Sequence, residues 1–179
     1  MGEAVDVDEG GSWGARLMRW SGIGILALAV GFAVRGPGAS VAVGQPSPPL
    51  RLATLDGRRA DLGAYRGKPM LLNFFATWCG PCRGEISVLN KLAAELKDRV
   101  AITGVLVFSG APGDDTTRAV ASLGPAYPVW VTDDETAAAW RVSAVPVSVI
   151  LDGAGTVRWV TNGAVSEEEV RDALANLRL

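Results

Sequence analysis

Two cysteines are the only thiols in this chain of 179 residues, which contains no histidine. Cys79 and Cys82 are separated by Gly80 and Pro81, and such a CxxC pair can alternate between a dithiol and a disulfide. The spacing also occurs in c-type haem attachment, which needs histidine where this chain has Arg83. A zinc site would need a second chain or ligands other than His and Cys. We therefore predict redox chemistry, with no metal and no cofactor.

The elements around the pair would position it for that chemistry. Residues 70–76 form an apolar run typical of a strand buried on both faces, and residues 80–96 repeat apolar side chains at helical spacing. Cys79 then lies at a helix start, where free N–H groups and the helix dipole stabilise a thiolate. Cys82 lies three residues further, on the same face of the first turn, so the two sulfurs can meet.

The remaining pattern predicts a mixed α/β sheet. Strands alternate with helices, which indicates parallel pairing, and the last two strands are joined by a hairpin signal at residues 152–155. The other predicted elements are a hairpin at 50–57, strands at 100–108, 128–131, 145–151 and 157–161, and helices at 117–123, 133–140 and 166–177. A net charge of −2 gives no indication of nucleic-acid binding.

The amino-terminal segment is organised differently. Residues 1–15 are acidic and glycine-rich, and we expect them to be disordered. An apolar run at 20–34 follows Arg16 and Arg19, so residues 16–35 fit a membrane anchor or a cleaved signal better than a core helix. Either interpretation exports the rest of the chain, and cleavage would follow Ala42. Residues 36–49 are predicted to be a Pro/Gly linker and residues 50–179 the domain.

Residues 73–82, with the sequence NFFATWCGPC, resemble the active-site strand and turn of thioredoxin. The segment from Pro49 to Pro69, with its Leu-Asp-Gly-Arg turn and Tyr-Arg-Gly-Lys-Pro end, is similar to the exported, membrane-tethered TlpA/ResA-like branch. The resemblance covers residues 45–179. It implies a thioredoxin-like fold, with a central mixed sheet flanked by helices, an N-terminal hairpin and an N-terminal membrane helix.

The same resemblance implies roles for further residues. Val145-Pro146 matches the family's cis-proline, which would leave the Val145 backbone free to pair with a substrate segment, although proline can also simply begin a strand. Glu85 matches a glutamate that would face the sulfurs and move a proton, whereas most glutamates in a first turn are solvated. Trp78, Gly80 and Pro81 would contribute to the substrate-contact surface.

Three positions depart from the family pattern, and one of them is Val145, which stands where the family often has Thr or Ile before the cis-proline. Thioredoxin has a buried aspartate where this chain has Asn73, which cannot titrate, so proton handling would fall to Glu85 or to water. A proline that often kinks the active-site helix is replaced by Ser87. These differences affect the expected redox potential and partner choice rather than the expected fold.

The sequence thus predicts an exported thiol–disulfide oxidoreductase that reduces protein disulfides, with apocytochrome c as a substrate candidate and a membrane protein as electron donor. Two alternatives stay open. A thiol peroxidase would have threonine three residues before its reactive cysteine, where this chain has Ala76. A non-enzymatic binding module would use the cis-proline groove without needing the cysteines.

Overall fold

A computed structural model of the protein describes residues 41–60 and 65–177. Six strands and four helices are present in this part of the chain. The strands are β1 (Leu52–Ala53), β2 (Met70–Phe75), β3 (Ala101–Leu106), β4 (Val129–Thr132), β5 (Val147–Leu151) and β6 (Val157–Asn162). The helices are α1 (Gly80–Leu96), α2 (Asp114–Leu123), α3 (Asp134–Ala139) and α4 (Glu167–Ala175).

The strands form one mixed sheet in the order β1-β4-β3-β2-β5-β6. The central strands β2, β3 and β4 are parallel, and β5, β6 and β1 are added antiparallel. The thioredoxin-like α/β architecture with a central mixed sheet and flanking helices agrees with the prediction. The strand β2 lies between β3 and β5, so both of its edges are paired and the active-site turn that follows it starts from the centre of the sheet.

Alternate residues of β2 face opposite sides of the sheet. The side that packs on α3, here called the α3 face, contains Leu72 and Phe74, which join Trp130 and Trp140 in one buried cluster. The opposite side, here called the α1 face, packs on α1, α2 and α4. Its apolar residues include Leu71, Phe75, Leu89, Leu92, Ile102, Leu106, Val120, Ile150, Val170 and Leu174. Both faces are covered, which explains why β2 is apolar along nearly its whole length.

Most predicted elements are confirmed, with shifted ends. The helix α1 has the predicted bounds, and α4 begins with the predicted capping box, in which Ser166 and Glu169 bond reciprocally. The helix α2 begins at Asp114 rather than at residue 117. The strand predicted for 145–151 begins at Val147, because Pro146 has no N–H to donate to the ladder.

The amino-terminal part of the domain differs from the expected linker. Gly44 N donates to Val157 O at 2.8 Å, and Ser47 N donates to Gly155 O at 2.9 Å. These bonds satisfy backbone groups at the start of β6 that would otherwise face solvent, so residues 44–47 belong to the folded unit. The short strand β1 pairs with β4, and after a turn Ala53 forms an isolated antiparallel bridge with Arg59.

The predicted membrane segment at 16–35 and the predicted disordered residues 1–15 lie outside the described residues. Among residues 41–60 and 65–177, no helix has the length and apolar character needed to cross a membrane.

Candidate active site

Cys79 and Cys82 form a disulfide in the first turn of α1, with their Cα atoms 5.3 Å apart. Cys79 is the N-cap residue of the helix, and its sulfur accepts a hydrogen bond of 3.2 Å from the amide of Cys82. Pro81 occupies the helix start, where no donor is lost. The expectation that the two sulfurs meet is therefore confirmed, and the N-cap position provides the electrostatic stabilisation that a Cys79 thiolate needs.

The disulfide is largely enclosed by apolar side chains. Cys79 and Cys82 share a buried cluster with Phe75, and Val145 packs against this cluster from the segment before β5. The Val145–Pro146 peptide bond is cis, as the sequence resemblance implied, and Pro146 is buried. Hence the chain brings together the residues expected to form the substrate groove, although their substrate-binding role stays a prediction.

Two aromatic side chains flank the site on its solvent side. Trp78 is 65% exposed and Phe108 is 41% exposed, and the Trp78 Nε1–H donates to the Phe108 carbonyl at 2.9 Å. The amide of Thr77 also donates to Ser109 Oγ at 3.0 Å. These two bonds attach the loop after β3 to the turn before Cys79. Trp78 is therefore exposed at the surface rather than packed in the core, and its role in substrate contact stays a prediction.

An open cavity of about 830 Å³ begins at this loop. Its wall combines apolar side chains such as Phe108 and Leu52 with the charged side chains of Arg51, Arg59 and Asp133. Arg51 forms ion pairs with Asp133 and Glu135, at 3.8 Å and 2.6 Å. Neither cysteine lines this cavity, and its connection to the site is the loop of Phe108 and Ser109.

Glu85 lies one turn after Cys82 and is only 2% exposed. Its Oε1 accepts a hydrogen bond of 2.8 Å from Asn73 Nδ2, and its Oε2 accepts one of 3.0 Å from the amide of Val165. Burial raises the pKa of the Glu85 carboxyl above its ordinary value, and the two hydrogen bonds partly oppose this effect. Interpreting Glu85 as a solvated first-turn residue is therefore wrong.

Asn73 replaces the thioredoxin aspartate and is completely buried. Its Nδ2 donates to Glu85 and also to Ser148 Oγ at 3.1 Å. The asparagine side chain thus links the central strand β2 to both α1 and β5. A buried amide at this place cannot exchange a proton, but it can donate a hydrogen bond that favours the charged form of Glu85.

A family model described as Redoxin matches residues 42–177. The chain belongs to the Redoxin family. Thioredoxin-like protein YneN of Bacillus subtilis is 33% identical over 132 residues, which cover 73% of this chain and 78% of that protein. Thiol-disulfide oxidoreductase ResA of Geobacillus thermodenitrificans is 31% identical over 141 residues, or 78% of this chain and 80% of that protein.

A solved structure supports the same assignment. The crystal structure of a thiol:disulfide interchange protein of the thioredoxin family from Chlorobium tepidum aligns with a TM-score of 0.63 and 27% identity, covering 75% of this chain and 97% of that one. The Redoxin domain described here is therefore a ResA/TlpA-like member of the thioredoxin superfamily and a thiol–disulfide oxidoreductase. Within residues 41–60 and 65–177, no group of three His, Cys, Asp or Glu residues could hold a metal ion.

Sequence reasoning missed parts of the site in this Redoxin domain. Phe108 was expected to end a buried strand, but β3 ends at Leu106 and Phe108 adopts a positive φ of 52° in an exposed loop. The amide of Val165 and the hydroxyl of Ser148 were not connected with Glu85 or Asn73. No local signal could have revealed these contacts, because Val165 is 80 residues from Glu85 and Ser148 is 75 residues from Asn73.

Proposed function

We propose that this protein is an exported reductant of protein disulfides that works through Cys79 and Cys82. The observation that carries the proposal is the disulfide at the start of α1. Cys79 is the N-cap residue, and its sulfur accepts a hydrogen bond from the Cys82 amide. This position favours the Cys79 thiolate as the first nucleophile. Cys82 is more deeply buried than Cys79, which suits a resolving thiol that reacts only within the protein.

The proposed cycle starts from the dithiol. The Cys79 thiolate attacks one sulfur of a partner disulfide, forms a mixed disulfide and expels the other partner sulfur as a thiolate. The Cys82 thiol then loses its proton and attacks Cys79 Sγ, which releases the second partner thiolate and closes the Cys79–Cys82 disulfide. Two electrons pass to the partner, and its two thiolates take up protons. A dithiol donor, proposed to be a membrane protein, regenerates the reduced form.

Glu85 is the proposed proton acceptor for Cys82. It lies three residues after Cys82 on α1, and burial raises the pKa of its carboxyl, which makes the carboxylate a stronger proton acceptor. Asn73 of β2 occupies the position of the thioredoxin aspartate and donates a hydrogen bond to Glu85. The proposed proton acceptor therefore lies on α1 rather than on β2.

Partner contact is proposed to occur at the surface made by Trp78, Gly80, Pro81, Val145 and Pro146. The exposed indole of Trp78 and the packing of Val145 against the cysteine cluster support this assignment. Reduction rather than oxidation is favoured by the Gly-Pro pair between the cysteines, which thioredoxin shares at a potential of about −270 mV. Apocytochrome c is a candidate substrate by resemblance to the TlpA/ResA-like branch.

Export is proposed from the arginines that precede the apolar run at 20–34. The domain would then act outside the cytoplasm, either anchored to the membrane or released after cleavage behind Ala42. The intact mass of the mature protein distinguishes the two forms, because a cleaved chain lacks the first 42 residues.

The test is a trapping experiment with Cys82→Ser in cells. We expect covalent complexes with partner proteins that disappear on treatment with a thiol reductant, because the mixed disulfide can no longer be resolved. Cys79→Ser is the matched control and should trap no partner. Absence of complexes with Cys82→Ser would overturn the proposal. Peroxide consumption that survives Cys82→Ser would indicate a thiol peroxidase, and rescue of function by the double Cys→Ser variant would indicate a binding module.

A further inference from the structure

Tyr127, in the segment between α2 and β4, has a buried hydroxyl that the proposed cycle does not use. The residue is 7% exposed, and its hydroxyl has no hydrogen-bond partner within the described part of the chain. A buried tyrosine hydroxyl normally has such a partner. The side-chain oxygen of Asn73, Oδ1, is also buried and has no hydrogen-bond partner within the described residues. The side-chain nitrogen, Nδ2, donates two hydrogen bonds.

The sheet places these two groups on the same face and at the same level. Gly104 of β3 is the register partner of Asn73 in β2. A Cβ atom at Gly104 would lie 3.3 Å from Cε2 of Tyr127, so the tyrosine ring occupies the space that a side chain would fill there. Cε2 is bonded to the ring carbon that carries the hydroxyl. The Tyr127 ring therefore lies over the strand position next to Asn73, on the α1 face.

Electrostatics connects Tyr127 with Glu85. Burial raises the pKa of Tyr127 well above its usual range, and the negative charge of Glu85 raises it further. On α1 itself, Cys79 and Cys82 are joined in the disulfide and carry no charge. The strands β2 and β5 contribute only Asn73 and Ser148, which do not titrate, and no lysine or arginine in the described residues shifts the pKa of Glu85.

We propose that Tyr127 is a positioning residue whose hydroxyl, through one buried water molecule, donates towards Asn73 Oδ1 and keeps the amide turned with Nδ2 towards Glu85. The two unpartnered oxygens are complementary, because one can donate and the other only accepts. A water molecule that bridges two buried polar groups is an ordinary part of a protein interior. This inference deepens the role of Glu85 in the proposed function and rests on it for its catalytic consequence.

The orientation of the Asn73 side-chain amide decides which protonation state of Glu85 is favoured. With Nδ2 towards Glu85, the amide donates to the carboxylate and lowers the pKa of Glu85. If the amide turned by half a rotation, Oδ1 would face Glu85 and would accept a hydrogen bond from the protonated acid instead. The Tyr127 hydroxyl opposes this rotation, so its loss should raise the pKa of Glu85.

The test compares Tyr127→Phe with Tyr65→Phe, which changes the only other tyrosine in the chain. Tyr65 is half-buried and packs edge-on against Trp130 with ring centres 5.5 Å apart, so it controls for the loss of a hydroxyl elsewhere. The pKa of Glu85 is measured from the pH dependence of its carboxyl ¹³C resonance, which Glu85→Gln assigns. We expect Tyr127→Phe to raise this pKa by about one unit, the effect of one lost hydrogen bond to a charged group.

Unchanged Glu85 titration in Tyr127→Phe, or an equal change in Tyr65→Phe, would overturn the inference. A second measurement uses the wild-type protein and does not depend on folding of the variant. The ¹³Cζ resonance of Tyr127 should follow the Glu85 titration while that of Tyr65 should not, and a flat Tyr127 resonance would also overturn the inference.

The proposed function is tested separately by the pH profile of partner release from the mixed disulfide. If the Glu85 pKa rises in Tyr127→Phe while that profile stays unchanged, Tyr127 positions Asn73 as inferred but Glu85 is not the proton acceptor. If both move together, by about one unit, the positioning role and the catalytic role are both supported.

Discussion

On the α3 face of the sheet, β2 packs Leu72 and Phe74 against the indole rings of Trp130 and Trp140. On the α1 face, the same strand carries Asn73 between Leu71 and Phe75, and Asn73 bonds to Glu85. Along β2, the α3 face thus carries only apolar side chains, and the α1 face carries a buried amide between two apolar side chains. Both are shielded from solvent, so burial alone does not distinguish the structural face from the reactive one.

The difference shows how one strand can serve two purposes. Asn73 and Glu85 lie in a layer where unpaired polar groups would lower stability, yet the Glu85 oxygens and the Asn73 Nδ2 all have partners. The disulfide shares this face, through its cluster with Phe75. Alternation along β2 therefore separates the side chains that pack on α3 from the side chains that pack on the disulfide and bond to Glu85.

The largest effect is expected when the adjacent residues Phe74 and Phe75, which are both fully buried, are truncated. The two changes test whether the α1 face alone affects the disulfide. Each Phe→Ala change should lower the free energy of unfolding by about 3–5 kcal/mol in urea denaturation. Only Phe75→Ala should change the rate at which dithiothreitol reduces the disulfide, since Phe74 packs on Trp140 and Phe75 on the cysteines. Equal changes in that rate would mean that the two faces are not separate.

A smaller effect is expected at Gly104, which gives room to the side chains around Asn73. A Cβ atom there would lie 2.8 Å from Phe75 Cε1 and 3.1 Å from Val129 Cγ2, so Gly104→Ala should destabilise the domain by about 1–3 kcal/mol. Gly84→Ala is the matched control in α1, where a Cβ meets nothing within 4 Å, and should stabilise by up to about 1 kcal/mol. Thermal unfolding of the two variants measures both, and a stabilised Gly104→Ala would contradict the packing.

The smallest effect concerns the dependence of stability on pH. Burial raises the pKa of Glu85 in the folded protein, so the folded state holds this proton more tightly than the unfolded state. The corresponding stability is fully present below the unfolded pKa, about 4.3, and is lost as pH rises through the folded pKa. Glu85→Gln should remove this decrease. Urea denaturation from pH 4 to 8 measures how the free energy of unfolding changes with pH. The control is Glu168→Gln on the exposed side of α4, which should show the same change with pH as the wild type.

Much of this fold could be predicted because local signals were strong. The CxxC pair, the apolar run before it and the helical spacing after it placed β2 and α1 correctly, and the Ser166 capping box placed α4. The contacts that tune the site were not predictable in this way. Glu85 could be named from resemblance, but the bond that it accepts from the Val165 amide joins residues 80 apart in the sequence, and the bond from Trp78 to the Phe108 carbonyl joins residues 30 apart.

The position of the disulfide has a consequence for the whole domain. Its cysteines are separated by three positions in the sequence, and they are the only two in the chain. The entropy that a cross-link removes from the unfolded chain grows with the loop it closes, and this loop is among the shortest that a disulfide can form. Reduction of the disulfide should therefore lower the free energy of unfolding only slightly. The domain can therefore be reduced and oxidised repeatedly while its fold stays the same.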